Sequence, residues 1–386
     1  MQVFEREFVE KLRCKYAGKS YYITPFIAKL ALDPRLTPEK DKIERWFNDV
    51  PTRAQPDILG RLQSTQRHQH FGAYYELVVH QFFKAKGYEV TFHPKIEEYE
   101  PELLVSGNGL EKPIIIEVAT VFDEPSWERE EDKFDLLLEK LVAIEHYFAV
   151  FVSSVSEAIP DHIDYVNLVE YVKRQLDSLN SQNCSEPAEF EYKKDNLNLK
   201  FTAIPTLEKD SILAAHMLPS RFIGTKQLSS ALEKKIQKYK SVAELRLPFI
   251  IAVNISNVPA GERGLLNTLF GNVVYRVKKD RNGDLISAEG GRDSSGLFTP
   301  KPGLGGKTRN KRVSTVLNVI SRWSEHEEDK PLQRNHLFHF IHNPGASVPL
   351  STKLFQGYPQ FTVISQDKKG LNLDWIDMEA DNPFDC

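Results

Sequence analysis

Apolar residues recur at helical spacing through the first 65 positions, in FVEKLRCKYAG and PEKDKIERWFNDV, and Pro51 and Pro56 interrupt the pattern after the second of these. A longer helical pattern at about 69–86 ends at Gly87. The period then changes. Strands are predicted at 88–93, 101–106 and 113–122, the last (PIIIEVATVF) nearly continuous in apolar residues and so expected at a sheet centre. An amphipathic helix at 127–147 and a buried-type strand at 148–154 complete an α-β-β-β-α-β order. Beyond it come a helix at 162–179, hairpin strands at 188–193 and 197–204, a basic helix at 229–242, and a strand at 248–256 that extends the same sheet. The expectation is a mixed α/β chain with a central mixed sheet flanked by helices. Its parts are an N-terminal helical segment (1–65), a core (66–160), a sheet extension with a basic helix (161–280), a basic Gly-rich loop (281–312), and a C-terminal strand with a wrapping segment (313–386).

Composition narrows the class. With 386 residues, 41% hydrophobic and 27% charged, a disordered or fibrous chain is excluded. The three cysteines lack metal-ligand spacing, and no apolar run approaches a membrane span or opens the chain as a leader, so a cytoplasmic protein without a membrane partner is expected. The net charge of -4 conceals an asymmetry: residues 221–322 hold 19 Lys/Arg against 7 Asp/Glu, whereas residues 1–220 hold 26 against 37. A division of this kind points to a polyanion-facing part.

Three carboxylates stand in apolar settings. Glu117 is the only charge in PIIIEVATVF, where an unpaired carboxylate would cost several kcal/mol (about 3–5) and so needs a cation, a metal ion or a raised pKa. Glu102 follows Pro101 at the head of the neighbouring strand, and Glu76 lies within the apolar helix HFGAYYELVVHQFF. Together they suit a hard cation, Mg2+ or Mn2+.

A helical acid, a Pro-acid pair before one strand and an acid within the next resemble the PD-(D/E)xK, or restriction-endonuclease-like, nuclease superfamily, over roughly residues 65–155. The resemblance implies an α-β-β-β-α-β core and metal-dependent hydrolysis of phosphodiesters in DNA, with RNA as the second choice and prokaryotic defence as one setting. It makes Glu76, Glu102 and Glu117 catalytic and metal-binding, with the Val118 carbonyl as a further ligand. The chain departs from the family at one position: the lysine belongs two residues after the second acid, where this chain has Ala119. His80, His93, Lys95 and Lys133 are candidate substitutes. The alternative is a catalytically inactive nuclease-fold protein that binds nucleic acid or serves as a subunit of a defence or repair complex, alone or as a homo-oligomer.

Lys301, Lys307, Arg309, Lys311 and Arg312 of the Gly-rich loop, with Lys234, Lys235 and Lys238 of the basic helix, are the candidate phosphate contacts. GLGGKTRNKR fails the phosphate-loop spacing, because Lys301 stands where the first glycine belongs. His336, His339 and His342 alternate along a strand, so a single metal is not expected to take all three.

Overall fold

The computed structural model describes residues 1–19, 24–121, 133–134, 136–141, 144–155, 159–160, 162–181, 186–211, 225–239, 246–255, 261–279, 282, 285–299, 309–324, 331–367 and 370–377. The chain divides into two compact units. One comprises Met1–Lys15, Pro25–Phe122 and Ile223–Cys386; the other comprises Tyr16–Thr24 and Asp123–Phe222.

In chain order the first unit begins with α1 (Arg6–Tyr16), α2 (Phe26–Leu32), α3 (Thr37–Asn48), α4 (Gln55–Leu62) and α5 (Arg67–Ala85), then β1 (Glu89–Phe92), β2 (Leu103–Ser106) and β3 (Ile114–Val121). The second unit supplies β4 (Glu145–Val155), α6 (Tyr165–Ser181), β5 (Ala188–Lys194) and β6 (Leu197–Ser211). The first unit resumes with α7 (Thr225–Lys238), β7 (Phe249–Ile255) and α8 (Gly261–Phe270), followed by β8 (Val273–Lys279), β9 (Leu285–Arg292), β10 (Thr315–Trp323), β11 (Arg334–His342), β12 (Gln360–Asp367) and β13 (Gly370–Ile376).

Eight strands form one mixed sheet in the order β1-β2-β3-β7-β10-β11-β12-β13. The strands β1, β2 and β3 run antiparallel in sequence, and β7 then lies parallel to both β3 and β10. Alternation of side chains across the pleat splits the core in two. Ile114, Ile116, Val118, Ile250, Ala252 and Leu317 join helices α2–α5 on one face. Ile115, Ala119, Val121, Ile251, Val253 and Val316 pack with Leu228, Leu232 and Ile236 of α7 and with Leu265 and Leu269 of α8 on the other. Coverage of both faces explains why β3 and β7 are almost wholly apolar.

In the second unit β4, β6 and β5 form a separate antiparallel sheet. The strand expected at 148–154 belongs there, as part of β4, and not to the large sheet. Its burial alternates from His146 through Val152, as in a sheet covered on one side by α6 through Leu168, Val172 and Leu176. The α-β-β-β-α-β order nonetheless exists in the first unit, as α5-β1-β2-β3 continued by α7-β7. The core anticipated at 66–160 is therefore interrupted in sequence after β3 and closed about a hundred positions later.

Two further expectations change. The segment 281–312 is not all loop, because β9 pairs with β8 as a hairpin; the Asn-Gly pair at 282–283 is the sequence signal for it. The C-terminal segment contributes sheet strands, β12 parallel to β11 and β13 antiparallel to β12, instead of merely wrapping.

Candidate functional site

Glu117 occupies the middle of β3 with 0% exposure, on the face covered by α7. A carboxylate so placed must be paired. The pairing comes from one face of α7 and the residue after it: Lys235 Nζ donates to Glu117 Oε2 at 2.7 Å, Lys238 Nζ to Oε1 at 3.1 Å, and the Tyr239 hydroxyl to Oε1. These three donors stand at i, i+3 and i+4, the spacing that puts helical side chains on one side.

Glu102 completes the arrangement. It sits one step beyond the paired Leu103 and Ile116 of the β2–β3 ladder, which sets it across from Glu117. Lys235 Nζ donates to Glu102 Oε1 at 2.6 Å, so a single ammonium bridges the two acids, and Glu102 Oε2 accepts the Val118 backbone N–H. Electrostatics then separate the two carboxyls. Burial opposes ionisation of Glu117, but the charge and hydrogen bond of Lys235, with Tyr239 and Lys238, outweigh it and hold the carboxyl below its ordinary value. Burial and then the Glu117 charge push Glu102 up to about 7, with Lys235 compensating in part. Burial would favour loss of the Lys235 proton; the two carboxylates reverse that and raise its pKa.

Glu76 lies on α5, where Arg61 of α4 grips it through Nη1 at 2.5 Å and Nη2 at 2.8 Å. Arg61 also holds Asp57 Oδ2 at 2.7 Å. Although neutralised there, Glu76 is near enough for its charge to raise Glu102. His93 links the two places: its backbone N–H donates to Glu102 O at 3.0 Å, and its Nε2 lies 3.8 Å from Glu76 Oε2. That residue adopts a left-handed φ of 44°, an uncommon conformation for a side chain of its size.

The three expected acids are thus divided. Glu102 and Glu117 come together around Lys235, and Glu76 forms a neighbouring pair with Arg61. Among the described residues no three His, Cys, Asp or Glu side chains form a group able to hold a metal ion. The two facing carboxylates have the oxygen chemistry that Mg2+ or Mn2+ requires, and the Lys235 ammonium occupies the position between them. Val118 enters through its N–H on Glu102, while its strand register faces Ala252 of β7.

Lys235 and Lys238, expected on a phosphate-binding surface, instead turn onto Glu117, with side-chain exposures of 23% and 48%. Lys234 is exposed as well. Lys311 is also exposed, whereas Arg309 and Arg312 are half-buried, and burial lowers the Arg312 pKa. Lys301 and Lys307 lie outside the described residues. Of the candidate substitutes for the missing lysine, His93 meets Glu102 through its backbone N–H and not through its ring. His80 is buried against Phe92, His93 adjoins Glu76, Lys95 is exposed, and Lys133 donates to Ile159 O at 2.8 Å in the other unit. The histidines of β11 enter separate networks, His336 with Tyr74 and Ser321, His339 with Glu262, and His342 with Gln360.

Sequence reasoning did not pair Lys235 with the two acids, although a signal existed. Leu228, Leu232, Lys235 and Tyr239 fall at i, i+4, i+7 and i+11, so this lysine interrupts the apolar stripe of its helix. Ala119, where the sequence resemblance expects a lysine, lies in the apolar cluster beneath that same helix. No protein-family model matches the chain, and comparison with curated proteins and with solved structures returns no match.

Proposed function

We propose that this chain is a metal-dependent phosphodiester hydrolase acting on DNA, with Glu102 and Glu117 as its acids and Lys235 in place of the lysine missing at position 119. The observation that carries the reading is the Lys235 ammonium, 2.6 Å from Glu102 Oε1 and 2.7 Å from Glu117 Oε2. The order α5-β1-β2-β3-α7-β7, with β3 and β7 parallel, supports it as the arrangement the sequence resemblance implies. Glu102 and Glu117 would hold a Mg2+ or Mn2+ ion, which when bound supplies a water of lowered pKa and positive charge near the phosphate. Because its pKa is raised, Lys235 keeps its proton near neutrality. Its work is therefore to orient a water or phosphate oxygen and to offset developing negative charge, not to accept a proton. Glu76 and Arg61 support the site from α5 and α4, with Arg61 holding Glu76 in place.

A second reading has its own observation. Glu117 and Glu102 already have protein donors on all four carboxylate oxygens, from Lys235, Lys238, Tyr239 and the Val118 N–H. A set of charges satisfied in this way also suits a catalytically silent nucleic-acid-binding protein. The test incubates the full chain with supercoiled plasmid and Mg2+ or Mn2+, beside Glu117→Gln and Lys235→Ala. Cleavage by the parent that both variants lose supports hydrolysis. Cleavage unaffected by either substitution overturns the assigned site, and DNA binding without cleavage under either metal favours the silent protein.

A further inference from the structure

The β8–β9 hairpin combines a tightly built root with an uncovered arm. At the root, Asp293 Oδ1 accepts the backbone N–H groups of Asn272 and Ser295, each at 3.0 Å, and Asp293 Oδ2 accepts Asn272 Nδ2 at 3.1 Å. Arg292 Nη1 donates to Gly271 O at 2.7 Å and to Asn267 Oδ1 at 3.1 Å, tying the outgoing strand to the end of α8. Leu297 and Phe298 then donate their N–H groups to Thr268 O and Leu269 O of that helix. Gly271 has a φ of 82°, and a Cβ there would fall 2.2 Å from Asp293 O, so only glycine permits this closure. The direction of the arm is therefore fixed at its base.

Among the described residues the arm pairs with itself alone, from Val273 with Arg292 to Lys279 with Leu285, in a two-stranded sheet. Val273, Tyr275 and Val277 stand on one face with exposures of 42%, 71% and 51%; Val274 on the other is 36% exposed, and Ile286 62%. The Tyr275 ring lies over Gly290, where an added Cβ would meet it at 3.4 Å. Lys278 and Lys279 are exposed towards the far end. A lone two-stranded ribbon is marginal in water, and one with apolar groups bare on both faces is suited to an object that surrounds it.

Charge and shape select that object. The hairpin, residues 273–292, carries five Lys/Arg against three Asp/Glu. The major groove of double-stranded DNA, about 12 Å wide, admits a two-stranded β-ribbon, offers apolar contact at thymine methyls and lines both sides with phosphates. A second copy of the chain fits less well. Two-fold pairing of β8 along its full length would set Arg276 opposite Arg276 at its centre. Like charges placed so destabilise the pair.

We infer that the β8–β9 hairpin is a DNA-binding ribbon that enters the major groove of a duplex, with Lys278 and Lys279 on the phosphates and Tyr275 and its neighbouring valines against the base edges. The choice of ligand rests on the hydrolase reading; the test separates the two. Anisotropy of a labelled duplex of about two helical turns is measured with the full chain in EDTA across a salt series. Lys278→Ala with Lys279→Ala should lower affinity roughly 10–30-fold at about 0.15 M salt and reduce the slope of log K against log salt by about 2. Tyr275→Ser should weaken binding at unchanged slope, and Glu117→Gln should bind like the parent; circular dichroism checks that each variant folds. Unchanged affinity and slope in the hairpin variants, or a parent that does not bind duplex, overturns the ribbon. So does a parent oligomer in sedimentation that the Tyr275 variant dissociates, because the occupant is then a second copy. A parent that cleaves plasmid while the hairpin variants bind normally leaves the hydrolase standing without the ribbon; loss of binding in those variants without any cleavage leaves the ribbon without the hydrolase.

Discussion

Lys235 stands 118 positions after Glu117 in the chain and 2.7 Å from it in space. Strand β3 brings an acid into an apolar face, and α7 crosses that face with a cation where its apolar stripe would otherwise continue. Removing the cation leaves two carboxylates facing each other at a site with little access to water. Lys235→Ala should therefore destabilise the protein by about 1–3 kcal/mol, less than a broken buried pair usually costs because Glu102 can take up a proton. Pairing it with Glu117→Gln should recover much of the loss. Urea unfolding of the two single variants and the double variant checks the coupling; additive losses would show that the bridge does not bind the two acids together.

Glu102 carries a pH signature. Its carboxyl is raised in the folded chain to about 7, from an ordinary value of 4.5, by burial and by Glu117. The folded state therefore binds a proton more tightly than the unfolded state. Its stabilising contribution is fully present below about pH 4.5 and disappears as pH rises through about 7. The shift corresponds to about 3 kcal/mol at most. Glu102→Gln should remove this fall, so the stability difference between parent and variant should change across that window and level off above it. A difference that stays flat from pH 4.5 to about 8 would contradict the shared-charge arrangement.

The buried histidines act in the opposite direction. Burial depresses His70 and His80 to about 4 from an ordinary 6.5. The unfolded chain binds more protons than the folded one between those values, so stability is present above about pH 6.5 and is lost as pH falls towards 4. Each group accounts for about 3 kcal/mol of that loss. His80→Gln should flatten part of the acid side of the stability profile measured by urea titration. An acid transition equally steep in the variant would exclude His80 as a source.

Much of this arrangement is legible in the sequence, and the part that is not has a physical cause. The lone charge in PIIIEVATVF marks Glu117, and the pattern from 67 to 121 gives α5 and the first three strands in order. The closing strand is harder to choose, because EHYFAVFVSSV and FIIAVNI are both apolar and both follow helical residues. Sheet membership depends on pairing partners far away in the chain, which local periodicity does not encode. The remaining clue is burial on both faces: FIIAVNI has no polar position before Asn254, whereas the earlier strand begins Glu-His-Tyr and alternates. Lys235 escaped for the same reason, since its partner is set by which strand α7 covers.

Glu76 and Arg61 form a second enclosed ion pair near the site, with side-chain exposures of 3% and 25%. Arg61→Met keeps the length of the side chain but leaves Glu76 without its bidentate partner. The expected cost is about 3 kcal/mol or more, since an unpaired buried charge remains. Arg61→Met combined with Glu76→Leu should be milder than Arg61→Met alone, because both charges are then gone. Thermal unfolding of these variants distinguishes a stabilising pair from a charge-neutralising one; a double variant as weak as the single would point to lost packing instead.

Ala119 offers the sharpest contrast between two ways of supplying one lysine. It shares the pleat face of Glu117, is 5% exposed, and lies in the apolar cluster with Leu232 and Ile236 of α7. A lysine placed there would project towards a helix that already fills the space, and overpacking of that kind costs about 1–3 kcal/mol. Its ammonium would also join Lys235 beside the same two carboxylates. Ala119→Lys alone should thus destabilise the chain, and the penalty should shrink when Lys235→Ala is added, since one cation then serves the acids. Plasmid cleavage lost in Lys235→Ala and partly regained in the double variant would mean that the amine matters more than its origin. Equal destabilisation by Ala119→Lys with and without Lys235 would show that the two positions do not reach a common site.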